Sequence, residues 1–548
     1  MNCPRIIFFQ YVLTVVACSL VYGVSAQDQG GLLSGNFQAN ANFFQRDSAI
    51  GAFGTPQYDR ELYGAEAWLN LNYSRWGFDT GIRFDLFNQS NLLNPQGSYT
   101  DQGIGRWFIH KKIHELDLSA GYLYDQIGSG IIFRAFEERP LLIDNALYGV
   151  RAAYELNPNW QVKAFTGRQK RQFDTYRPVV RGLAIDGFFS PSDSARWSIA
   201  PGAGVVGRSY DDATIQEAVS AITTYTPVDS IGAQYNTYAF SAYNTLTAGP
   251  VTWYVEGAYK TRDLFFDPFS PKTNWDGSET TGKLVNRSGW VAYSSLSFTA
   301  GTFGITVEGK RTENFTFRAN PFVALNQGLV NFLPPMSRIN TYRLTSRYNA
   351  ATQELGEQAV QVDLGWSPGD KWSFILNLSD IQNLQKEQLY REFYFEATHR
   401  LSGKWWFKGG VQLQNYNQEV YEVKPGVPLV QTFTPFFEAQ VKLDRRKSLR
   451  WETQAMLTGQ DFGSWLFGLV EFSKAPHWTF TASNMYNFDP KKTSRPIHYP
   501  RLDVFYNYKN NRFSLSYVKQ VEGVVCTGGI CRLEPAFSGV KLTVQSNF

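Results

Sequence analysis

Five histidines, His110, His114, His399, His477 and His498, are the only imidazoles this 548-residue chain offers for proton transfer. Acid–base or nucleophilic chemistry would need one of them beside a serine, cysteine or carboxylate partner. No HExxH, GxSxG, CxxC or phosphate-loop pattern supplies that setting. His498 sits in or beside a long loop with no nucleophile motif, and His110 and His114 flank Lys111 and Lys112 near a tight turn. These read as solvated or interfacial imidazoles. Neither an enzyme nor a cofactor or metal site is expected.

The densest run of charge is GSGIIFRAFEERPLLIDNALYGVRA, which sets Arg134, Glu137, Glu138, Arg139, Asp144 and Arg151 among apolar residues. Arg151 alternates with Tyr148, Val150, Ala152 and Tyr154, so it points to the opposite face of an extended strand. Glu256 and Lys260 in VTWYVEGAYK, Arg262 just beyond, and Glu308 and Lys310 in GTFGITVEGK fall on corresponding faces. Charges facing the inside of a barrel do one of two things: they form a constriction that screens solutes, or they pair and brace loops onto the wall. Both readings stand, and the mixed signs argue against strong preference for cations or anions. Cys526 and Cys531 enclose Thr-Gly-Gly-Ile, whose glycines permit the turn that a disulfide requires. Two thiols without a nearby histidine are too few for a closed metal site. A loop this short implies stabilisation at the low end of about 2–4 kcal/mol.

Period-two alternation specifies the elements that must position these residues. In LSGNFQANANFF, Phe37, Ala39, Ala41 and Phe43 oppose Asn36, Gln38, Asn40 and Asn42; in WGFDTGIRFDLF, Ile82, Phe84 and Leu86 oppose Arg83 and Asp85. Repeated over segments of about ten residues, this is the signature of membrane-barrel strands. Aromatic content is 16% and charged content only 18%, yet mean hydropathy is negative. A sheet with one greasy and one wet face reconciles these facts; a soluble sandwich would expose or bury too many alternating aromatics. Tight turns at 157–159, 248–250, 367–370, 402–404, 474–476 and 510–511 alternate with long connections near 88–103, 126–144, 208–232, 263–283 and 316–356. That asymmetry predicts an all-β, transmembrane antiparallel barrel of about 24 strands, within 22 to 26, with the tight turns periplasmic. Trp160, Trp253, Trp372, Trp405, Trp478 and Phe513 follow tight turns, as an aromatic girdle would. So wide a barrel must be closed by inward-folding loops or a partner. Loops 208–232 and 316–356 are the candidates, with AVSAI in the first as a short helix.

Arg5, the apolar stretch Ile6–Val24 and the small residues Val24-Ser25-Ala26 predict a signal peptide over 1–26, with the barrel over 27–548. A membrane anchor and lipid attachment at Cys18 are the alternatives. The first strand starts near Leu32, which leaves no room for an N-terminal plug domain. The net charge of +4 is small for this length and argues against a nucleic-acid partner. The chain ends KLTVQSNF, with Leu542, Val544, Ser546 and Phe548 on one face. A terminal strand ending in Phe resembles the sorting signal read by the outer-membrane barrel assembly machinery.

LSGNFQANANFF, GSGIIFRAFEERPLLIDNALYGVR and CTGGICRLEP together resemble an uncharacterised family of Bacteroidota outer-membrane β-barrel proteins. The resemblance spans most of the mature chain. It implies a Gram-negative outer-membrane location and contact with outer-membrane lipids, and brings no activity or site residues; the even strand count is what puts both termini on the periplasmic side. The expectation is a porin-like channel for small hydrophilic solutes, with a water path past Arg134 and Arg151. The alternative is a structural or secretion-associated barrel with a sealed lumen that binds surface or periplasmic proteins.

Overall fold

A computed structural model describes residues 31–192, 195–323, 327–527 and 530–548. The predicted signal peptide and Cys18 lie outside the described residues. Twenty-four strands form a single sheet, each antiparallel to the next. The first, Leu32–Phe44, pairs with the last, Phe537–Asn547, from Asn36 opposite Asn547 to Phe44 opposite Gly539. The sheet therefore closes on itself, and an even strand number makes the closing pair antiparallel like all the others. Both ends of the sheet lie at the rim that carries the turns 76–77, 158–159, 249–250 and 509–510.

The alternation sets the two faces as expected. Phe84, Val150, Trp253, Val307 and Leu542 are exposed on the outside, whereas Arg83, Asp85, Glu256 and Lys310 are buried on the inside. Polar groups inside the barrel are buried because other parts of the chain fill its upper half. The connection 124–146 enters with Ile127, Ile131 and Ile132 fully buried. They pack with Phe315, Phe317, Val330 and Leu333 of the connection 314–355, and with wall residues such as Phe165 and Val206. A second cluster joins Met336, Leu344 and Tyr348 to Tyr390, Trp465 and Met485 of the wall. The main cores thus lie inside the cylinder, which a lumen of this width would otherwise leave to water.

Two expected loops differ. The stretch 263–283 is mostly strand: Val251–Thr273 and Glu279–Ala300 form a hairpin of 23 and 22 residues, joined by a turn at 274–278. The segment 208–232 forms the expected helix, Asp212–Ile222, but does not fill the lumen. Ile215, Ala218 and Ile222 pack on Leu264 and Leu284 of that long hairpin, in a cluster separate from both luminal ones. The hairpin offers an apolar patch nearer in sequence, and the Tyr225 hydroxyl accepts from the Leu284 N–H at 2.8 Å.

Candidate functional site

Charged wall residues fasten the connection 124–146. Arg83, 3% exposed, donates to Asp85 at 2.6 Å and to Glu137 and Asp144 at 2.7 Å. Lys170 also donates to Asp144, Arg139 donates to Glu137 at 2.9 Å, and the Tyr124 hydroxyl donates to Asp144 at 2.9 Å. Three cations thus meet three carboxylates, so the group is neutral. Arg151 is luminal, as its alternation required, and bridges Asp117 and Asp125 at 3.0 and 2.9 Å; Lys163 shares Asp125 at 2.9 Å. Arg134 lies 4.8 Å from the Phe136 ring centre and 4.2 Å from that of Phe332. Burial lowers its pKa, yet a guanidinium stays charged. Glu138 pairs through its backbone with Ile143.

The second set is divided among different tasks. Glu256 accepts from the Ser129 N–H and hydroxyl at 3.0 and 2.6 Å. Lys260 and Arg208 share Asp263 at 2.9 and 2.6 Å, and Lys260 also donates to the Thr316 carbonyl. Lys310 holds Glu357 at 2.6 Å and donates to the Pro334 carbonyl. Glu308 accepts from the Tyr293 hydroxyl at 2.5 Å. Arg262, expected beside them, is exposed, because a register shift between Lys260 and Asp263 turns it outward. Most of the sequence-predicted charges therefore hold inner segments in separate groups, Glu308 and Arg262 excepted, and they do not converge on one ring.

Residues 314–355 have little regular structure, so their buried backbone groups need other partners. Wall side chains provide them. Gln412 donates to the Thr345 carbonyl at 3.0 Å, Gln414 to the Tyr348 carbonyl at 2.7 Å, and Gln454 accepts from the Leu344 N–H at 2.7 Å. Asn340 donates to Glu392 at 2.8 Å and the Tyr342 hydroxyl to Glu438 at 2.7 Å. The Tyr348 hydroxyl donates to Asp461 at 2.8 Å. The two inner segments also join each other, through Arg134 N–H to the Val330 carbonyl at 3.0 Å and Phe332 N–H to the Gly130 carbonyl at 2.9 Å.

Beside 337–350 the packing opens into a cavity of about 250 Å³, bordered by Arg338, Arg343, Arg347, Met485, Gln520 and Val524 among others. The sequence reading missed these arginines. INTYRLTSRY alternates, with Tyr342, Leu344 and Tyr348 opposite Arg343, Thr345 and Arg347, and reads as part of an extracellular hairpin; it forms no strand and lies against the inner wall instead. Arg338 lies 4.3 Å from the Tyr394 ring centre, and Arg347 lies 4.7 Å from that of Trp465.

The remaining predicted positions lie elsewhere. Cys526 and Cys531 face each other across a hairpin of Gly523–Thr527 and Ile530–Glu534, and their side chains lie outside the described residues. Leu542 and Phe548 are exposed on the outer face, with Val544 between them in the alternation. The Phe548 ring covers Gly35: a Cβ there would come within 2.6 Å of it. His110 contacts Asp117 at 3.0 Å, and His498 stacks on Tyr486 with ring centres 4.1 Å apart.

No curated protein matches the chain. Among solved structures, the P pilus usher (PapC) translocation pore is similar at 9% identity, covering 94% of this chain and 99% of that one, with a TM-score of 0.44. The siderophore receptor PirA from Pseudomonas aeruginosa is similar at 8% identity over 95% and 81%, with a TM-score of 0.41. The FrpB iron transporter from Neisseria meningitidis is similar at 10% identity over 94% and 82%, with a TM-score of 0.37. A family model matches residues 6–548, and the chain belongs to that family, DUF6029, a family of unknown function.

Proposed function

We propose that the chain is an outer-membrane porin-like channel for small hydrophilic solutes, closed at rest by its own segments 124–146 and 314–355. The short turns and both sheet ends would face the periplasm, with lipid around the exposed aromatic and aliphatic wall. The expected path past Arg134 and Arg151 is not favoured, since one is sandwiched between rings and the other is held by two carboxylates. The observation that carries the reading is the arginine-bordered cavity between 337–350 and the wall. Around it the segment combines buried apolar contacts of Met336, Leu344 and Tyr348 with single hydrogen bonds, and opening it must expose the first and rehydrate the second.

The test is conductance in planar bilayers of the wild type and of a variant whose residues 316–354 are replaced by a short Gly-Ser linker. Brief or small currents from the wild type and a large steady current from the variant are expected. A folded variant, judged by heat-modifiable gel migration, that conducts no better than the wild type would sink the channel reading. The scaffold alternative, with a periplasmic or surface protein as partner, would then be left. The apolar packing of Ile127, Ile131 and Ile132 against Phe315 and Phe317, which seals one side of the lumen, favours that alternative.

A further inference from the structure

The arginines that border the cavity are not absorbed by the neutral pairs described above. None of Arg338, Arg343 and Arg347 has an ion-pair partner within 4.0 Å among the described residues. Two carboxylates also border the cavity, Glu522 and Glu534. Glu534 is already engaged by Arg532 at 2.8 Å and Gln520 at 2.7 Å. Nearby Arg501 has its own partner in Asp503 at 2.9 Å. Glu392 acts on Arg338 and Glu522 lies at the border, while Asp461 beside Arg347 is engaged by Lys492 at 2.6 Å. The arginines thus leave an excess of positive charge that is modest and centred on Arg343 and Arg347.

Their arrangement is fixed in advance. Arg338 packs on Tyr394 and Arg347 on Trp465. Contacts of this kind hold a guanidinium plane while leaving its edge free to donate. The Nε atoms of Arg338 and Arg347 are buried without a hydrogen-bond partner. Such orphaned donors are costly unless something accepts from them. Arg343 is exposed toward the cavity, and enclosure by the barrel together with the Arg347 guanidinium lowers its pKa. A nearby anion would relieve that repulsion. Asn340, Asn349, Ser337 and Ser346 add neutral polar groups to the same border, as recognition of a hydroxylated solute requires.

We propose that this cavity binds a small, multiply charged oxyanion, bearing phosphoryl or carboxylate groups, through the guanidinium groups of Arg338, Arg343 and Arg347. Guanidinium donates in a planar fork that matches such oxygens two at a time. The cavity lies inside the ring of strands, away from the lipid-facing wall, so its ligand comes from water. The inference rests on the channel reading for the claim that this ligand is a solute in transit; binding itself does not need it.

The experiment is isothermal titration of the purified full barrel in detergent with glucose 6-phosphate and with citrate. Glucose, and sodium chloride at matched ionic strength, are the controls. Saturable binding of at least one anion is expected, weakening as salt is added. Arg343→Ala/Arg347→Ala should weaken it by about tenfold or more; Arg343→Lys/Arg347→Lys, which keeps charge but loses the fork, should fall between. If the double alanine variant lacks the heat-modifiable migration of a folded barrel, Arg343→Ala alone carries the test. No binding beyond the chloride control by folded wild type, or equal affinity in the alanine variant, would overturn the proposal. Binding without conductance keeps this site and rejects the channel; conductance without binding rejects this site alone.

Discussion

Arg83→Ala should release the segment 124–146 from the wall. The guanidinium is 3% exposed and donates to three carboxylates, Asp85, Glu137 and Asp144. Its removal leaves those acids with only Lys170 and Arg139, so a neutral buried group becomes net negative. Stripping one partner from a buried ion pair costs about 3–5 kcal/mol, mostly because the remaining charge is left uncompensated. At about 1.4 kcal/mol per factor of ten, the lower figure is about 150-fold in the local opening equilibrium. Hydrogen–deuterium exchange reads this directly, because exchange of a protected amide tracks the population of the open form. The reporting amides are Arg134, bonded to the Val330 carbonyl, and Asn145, bonded to the Phe136 carbonyl. Both should lose about two orders of magnitude of protection, consistent with that opening factor. Arg139→Ala is the control: its side chain is 27% exposed and has one carboxylate partner, Glu137. Loss of so exposed a pair is worth about 1 kcal/mol or less, about fivefold in exchange. If Arg83→Ala moves these amides no further than Arg139→Ala, the charges do not fasten the segment.

Gly35→Val should impair barrel formation, because a Cβ there would lie 2.6 Å from both the Asn70 carbonyl oxygen and the Phe548 ring. A clear drop in the heat-modifiable fraction is expected, and yields equal to wild type would refute it. Cys526 and Cys531, opposite each other across their hairpin, should resist alkylation until reductant is added; free thiols in protein purified from an oxidising compartment would count against the disulfide.

Much of the wall was legible because a strand writes its two environments into alternate residues. Phe84 and Arg83 needed no partner to declare their faces, and Trp160 and Trp372 marked one rim. Loop length was a poorer guide to the other rim. The connection 172–173 is a two-residue turn on the long-loop side, and 263–283 proved to be paired strand. The contents of the lumen were not legible for a different reason. Arg83 and Glu137 are 54 residues apart, and Gln454 meets Leu344 across 110 residues. Nothing local distinguishes a loop that dives inward from one that waves in water when both are irregular and mixed in polarity. The arginines of 338–347 show the same limit: their role follows from what the surrounding strands leave unpaired, which only the closed cylinder reveals.

The seam between the first and last strands has a bearing on how the molecule is made. Nine residue pairs join them, and Phe548 bonds back to Gly35 in both directions, at 2.8 and 3.0 Å. The ring can be shut only after the strand Phe537–Asn547 has been made. By that time the inner segments, which link strands well before the end of the chain, already exist and hold apolar groups in search of cover. A growing sheet that curls around them would wrap its cargo on the way to closure, like a sleeve sewn up over an arm, rather than admit it afterwards through a finished mouth. On that ordering, the interior would guide the curvature of the wall, and the seam would be the last stitch.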